Sequence, residues 1–174
     1  VHMGLERFAR VSTGLGALVE VAGLGDKELS VGSLAFGLAP RINALGRLDD
    51  ASVAVRLLLT QDAQEARQLA ETLDATNRER QAIEARVTEE AMTKVEKEID
   101  LEKDWAIVLA SPQWHPGVIG IVASRLVEKY HRPTILISLA EEPGRGSGRS
   151  IEGFDLHKAL QLLGSMLERY GGHK

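Results

Sequence analysis

Seven consecutive residues, GRGSGRS (144–150), hold three glycines, two serines and two arginines and follow closely on the apolar run Pro133–Leu139. None of the seven is an acid or base at neutral pH, so proton transfer is not their chemistry. Guanidinium forks, hydroxyls and glycine backbone N–H groups suit an anion, above all a phosphate. A flexible surface turn is the plain alternative.

Other candidates of the same kind lie along the chain. Arg41, Asn43 and Arg47 fall in APRINALGR (39–47), where Asn43 and Gly46 read as turn formers that hold the two guanidinium groups near one point. His115 precedes Pro116, a residue suited to the first position of a helix, so an imidazole stands beside free helix N–H groups. Gly171 and Gly172 let backbone come close to a ligand, with His173 as a donor. The five histidines show no H-E-x-x-H spacing and no acidic cluster, so no metal site and no catalytic residue is expected in this sequence. A phosphate-binding G-x-x-x-x-G-K-[ST] loop, a dinucleotide G-x-G-x-x-G turn and a G-x-S-x-G nucleophile elbow are all missing.

Elements must place these groups. The 174 residues, 44% hydrophobic and only 4% aromatic, are enough for an aliphatic core. A net charge of −4 means that any polyanion site is local. With no cysteine the chain has no disulfide, which fits a reducing cytoplasm, and no run is long enough to span a membrane. Val1 at the start and Gly171-Gly172-His173-Lys174 at the end are expected of a piece of a longer protein.

Leu5, Phe8 and Val11, then Leu15, Leu18, Val19 and Val21, mark short helices, and Val53–Leu59 another. Asp62, with Glu65 three residues on, opens a stretch free of Gly and Pro from 63 to 98. Its apolar positions step by three or four, with Arg80 filling one gap, and it reads as one helix on the order of 50 Å long. Trp105–Ala110 and Pro133–Leu139 read as buried strands, Val118–Tyr130 as the helix between them, 144–153 as a loop and short strand, and Phe154–Tyr170 as a last helix. Strand–helix–strand implies a parallel crossover. The fold class is therefore α/β: a helical connecting region (1–61), a long interdomain helix (62–100) and an incomplete α/β sheet domain (101–174), with further strands expected beyond Lys174 and an exposed edge that favours association.

Taken in order, FGLAPRINALGRLDDA (36–51), LDATNRERQAIE (73–84), WHPGVIGIVASRL (114–126), RPTILIS (132–138), GSGRSIEGFDL (146–156) and GGH (171–173) resemble the RecJ family of single-stranded-DNA-specific 5′→3′ exonucleases. The resemblance covers nearly the whole chain. It implies a DHH-associated domain joined by the long helix to a catalytic DHH domain, whose motifs this sequence does not carry. It also implies Mn2+ or Mg2+ held by that other domain, none held here, and a role in DNA repair and recombination. By the same resemblance Ser147, Arg149 and Ser150 contact DNA phosphates, and Gly171, Gly172 and His173 close over the nucleotide. Arg41, Asn43 and Arg47 lie against the groove, His115 lines the site, and Asn77, Arg80 and Gln81 either reach the strand or hold the two domains together. Single-stranded DNA is the expected partner, with single-strand-binding protein and a repair helicase as further ones, and no membrane. Two rival readings are a phosphodiesterase part acting on short oligoribonucleotides or cyclic dinucleotides, and a non-catalytic scaffold for replication and repair proteins.

Overall fold

The computed structural model describes residues 5, 8, 12–48 and 50–172. The chain divides into two compact units, Val1–Ala82 and Ile83–Lys174. The division falls inside its longest helix.

In the first unit, α1 (Thr13–Val21) starts at Ser12, whose Oγ accepts the Leu15 N–H at 3.2 Å. A π-helical turn, Ser33–Leu38, runs directly into α2 (Ala39–Leu48), and α3 spans Ser52–Leu59. Leu18, Leu38, Leu45 and Leu57 bury against Leu69, Ala70 and Leu73 of α4. APRINALGR, read from sequence as a turn-rich segment, is thus helical. Proline in a helix interior removes a hydrogen bond and crowds the preceding turn. Here that preceding turn is widened, the Ala39 N–H reaching back to the Leu34 carbonyl, and Pro40 sits just after it near the start of α2.

The long helix α4 runs Ala63–Glu98, the full breaker-free stretch. Its start carries half of a capping box: the Glu65 N–H donates to Asp62 Oδ1 at 2.8 Å. The Glu65 side chain turns instead to Thr60 and Arg56. The Thr60 hydroxyl, and then the Arg56 guanidinium, hold the Glu65 carboxyl below its ordinary range. Stability from this group is complete above the ordinary glutamate pKa and is lost as pH falls through the lower folded-state value. Glu65→Gln is accordingly expected to flatten the acid limb of a plot of melting temperature against pH. An unchanged limb would mean that this ionisation is not linked to folding.

Between its two apolar stretches α4 buries a polar face: Asp74, Asn77, Arg80, Glu84 and Thr88. Arg80, the gap in the apolar stepping, directs Nε and Nη2 to Asn77 Oδ1 at 3.3 and 3.1 Å. Gln81 is exposed.

In the second unit β1 (Ile107–Ser111) pairs in parallel with β2 (Thr134–Ser138), and α5 (Pro116–Tyr130) makes the crossover. β3 (Arg145–Arg149) pairs antiparallel with β2, giving the order β1-β2-β3. Val87, Ala91 and Val95 of α4 share a core with Ile107, Leu109, Trp114, Val118, Val122, Leu126 and Leu136. The mixed helical and small-sheet α/β architecture is the class expected from sequence, with corrections in detail. Trp105 lies outside β1 and is 81% exposed, and Val108 is exposed too, so the apolar run is covered on one face only. The last helix is short: α6 (Leu156–Leu162), capped by Asp155 Oδ1 accepting from the Lys158 N–H, gives way to a 3₁₀ turn at Gly164–Met166. Leu162, Leu163, Met166 and Leu167 stay exposed, so no burial sustains a helix to Tyr170.

Candidate nucleic-acid interface

Within the loop and short strand expected over 144–153, the strand is Arg145–Arg149 (β3), and it is the edge of the sheet among the described residues. Five residues with two interior glycines have little strand propensity of their own. Pairing with Thr134–Ser138, residue for residue, imposes the extended form. On one face, at Gly148, a Cβ would stand 2.7 Å from Leu156 Cδ2, so the Leu156 side chain occupies that space, whereas at Gly146 nothing comes closer than 3.9 Å. β3 is extended rather than looped, and since antiparallel pairing uses only alternate residues of an edge strand, the backbone N–H groups of Gly146 and Gly148 stay on its open side.

The other face carries the chemistry. Period-two alternation puts Arg145, Ser147 and Arg149 on the face of Ser138, Leu136 and Thr134, which α5 covers. The Arg149 Nε donates to Ser124 Oγ at 3.1 Å, and Nη1 donates to the Gly148 carbonyl at 2.7 Å and to Ser147 Oγ at 3.4 Å. Nη2 makes no hydrogen bond among the described residues, and no carboxylate there pairs with Arg149. It is an exposed cation whose aim is set by uncharged groups. Arg145, by contrast, lies 3.5 Å from Glu141 Oε2.

The remaining sequence candidates divide. Ser150 donates its hydroxyl to the Phe154 carbonyl at 2.5 Å and closes the turn that contains Gly153, at φ +83°. His115 is the N-cap of α5, its Nδ1 accepting from the Gly117 N–H at 3.0 Å, so the proton of the neutral ring is on Nε2. Arg41, Asn43 and Arg47 are all on α2, not on a turn. Arg41 is committed inside the first unit, Nε to Asp74 Oδ1 at 2.8 Å and Nη1 to the Gly37 carbonyl. Gly171 and Gly172 are exposed and outside regular structure, and His173 lies outside the described residues.

Two residues that sequence reasoning passed over complete the arrangement. Gly120 and Ser124 lie one turn apart on α5 and face β3. The available signal was a pair of small residues four apart within WHPGVIGIVASRL, the spacing that lets another backbone approach a helix. Among the described residues no three His, Asp or Glu side chains gather as a metal site requires. No helix among them is long and apolar enough to cross a membrane.

Comparison with known proteins converges on one group. Residues 103–174 match the family model of the DHHA1 domain. The single-stranded-DNA-specific exonuclease RecJ of Bacillus subtilis is 42% identical over 174 residues, 98% of this chain and 22% of that protein. RecJ of Escherichia coli is 42% identical over 175 residues, 96% of this chain and 30% of its own length. The crystal structure of RecJ in complex with Mg2+ from Thermus thermophilus superposes with a TM-score of 0.84 at 40% identity, covering 100% of this chain and 26% of that one. A structure of exonuclease RecJ bound to manganese gives 0.84 at 42% identity, covering 100% of this chain and 42% of that one. The chain thus spans less than a third of the curated relatives it matches.

Proposed function

Since the chain is a RecJ-family segment whose residues 103–174 match the DHHA1 domain, we propose that it grips and positions the backbone of single-stranded DNA for a RecJ-like exonuclease of DNA repair and recombination. Cleavage and the divalent metal belong to a part of the longer protein other than the described residues, and this chain alone hydrolyses nothing. Residues 1–61 act as the connecting region, 62–100 as the linking helix and 101–174 as the DNA-gripping domain.

One observation carries the reading: an exposed, acid-free guanidinium, Arg149, held in a defined pose by Ser124, Ser147 and the Gly148 carbonyl. Such a group neutralises and orients a phosphate without acting as acid or base. Ser147 stands beside it as a hydroxyl donor. Ser150 and His115 support the same region from the turn and the helix cap they hold.

Fluorescence anisotropy with a short 5′-phosphorylated single strand, at low and high salt, tests the proposal. Hydrogen bonds to charged groups are worth about 1.5–3 kcal/mol, so Arg149→Ala is expected to weaken binding roughly 10- to 100-fold. The slope of log affinity against log salt should fall by about 0.7, the share of one phosphate on a single strand. Equal binding by wild type and variant would overturn the assignment.

A further inference from the structure

We propose that Gly120 and Ser124 of α5 form the seat of the Arg149 guanidinium and are positioning residues for the phosphate grip. This inference rests on the reading of Arg149 as a phosphate-binding group. Two independent features carry it. Ser124 Oγ takes the Nε–H at 3.1 Å while donating its own proton to the Gly120 carbonyl at 3.2 Å, so the hydroxyl is fixed from both sides. At Gly120 a Cβ would stand 2.9 Å from Ser147 Oγ and 3.1 Å from Arg149 Nη2. Glycine is therefore the residue that leaves Nη2 and the Ser147 hydroxyl in place.

An arginine on a strand edge loses considerable rotamer freedom when it closes on a phosphate. Here the loss occurs in the free protein, because Nε is held by Ser124 and Nη1 by the Gly148 carbonyl. The ligand then meets a pre-aimed Nη2 edge, and less ordering opposes binding. The helix sacrifices stability for this arrangement. A mid-helix glycine is weaker than alanine, and serine is weaker as well.

The consequence is an inverted signature that a merely structural role would not produce. Ser124→Ala and Gly120→Ala should each leave the melting temperature unchanged or raise it, yet weaken binding of a 5′-phosphorylated oligothymidylate. The expected loss is about three- to tenfold, the worth of ordering one long side chain. Ser124→Thr keeps the hydroxyl and should keep the affinity. In an Arg149→Ala background Ser124→Ala should cost nothing more, because it acts through that guanidinium. Equal cost in both backgrounds, full affinity of the single Ser124→Ala variant, or a fallen melting temperature for both helix variants would each overturn the seat. If Arg149→Ala itself binds like wild type, the phosphate reading fails first and is distinguished from these results.

Discussion

Gly14→Ala is expected to unfold the first unit or lower its stability by about 3 kcal/mol, near the upper end for overpacked cores. Gly14 is buried on α1, and a Cβ there would lie 1.7 Å from the Leu57 carbonyl oxygen and 2.7 Å from its carbon. Both are backbone atoms of α3, so no rotamer change relieves the clash and the two helices must separate. Alanine would improve α1 taken by itself by up to about 1 kcal/mol. That gain is smaller than the cost of parting Leu18 and Val19 from Leu45 and Leu57. Gly46→Ala on α2 is the control, because a Cβ there meets nothing within 4 Å, and it should stabilise. Urea denaturation followed by far-ultraviolet circular dichroism measures both. A Gly14→Ala protein as stable as wild type would show that α1 and α3 shift apart freely.

The second large effect lies in the Arg41–Asp74 pair. Asp74, with its side chain 6% exposed, receives Arg41 Nε on Oδ1 and Arg78 Nη2 on Oδ2. Arg78 is mostly exposed and contributes little, since solvent screens such a pair. Arg41 is mostly buried, and Asp74→Ala would strand its charge. Breaking a buried pair from one side costs about 3–5 kcal/mol, and the lower end applies to an arginine with 19% of its side chain still exposed. Asp74→Asn keeps the shape and should fall between. Arg41→Ala should destabilise to a similar degree and change DNA binding less than Arg149→Ala does. If Asp74→Ala melts like wild type, the pair is not a structural clamp, and Arg41 becomes available for a phosphate.

Some of this was legible in the residues alone. The bounds of α4 follow from a stretch without glycine or proline and an N-capping aspartate, both local properties. The crossover from β1 through α5 to β2 follows from two apolar runs flanking an amphipathic one. What could not be read depends on partners distant in sequence. Asn43 and Gly46 signal a turn, and the π turn and the burial of Leu45 override them. RGSGR (145–149) has the composition of a loop, and pairing with Thr134–Ser138 alongside makes it a strand. Arg149 could be singled out from sequence as a candidate for an anion. Its seat could not, because Gly120 and Ser124 lie far earlier in the chain, Ser124 by 25 residues, and look like ordinary small residues of a helix.

The placement of the aromatic residues has a practical corollary for reading every experiment above. Both tryptophans and both tyrosines fall after residue 100: Trp105 is exposed, Trp114 is fully buried, and Tyr130 and Tyr170 follow. Intrinsic tryptophan and tyrosine emission therefore reports directly on residues 83–174 alone, with one quenchable, red-shifted fluorophore and one shielded, blue-shifted one. Residues 1–82 hold no tryptophan or tyrosine, and their only phenyl side chains are the weakly emitting Phe8 and Phe36. A fluorescence melt would register a loosened sheet domain at once, and could score Gly14→Ala as innocuous while the ellipticity of its helices disappears.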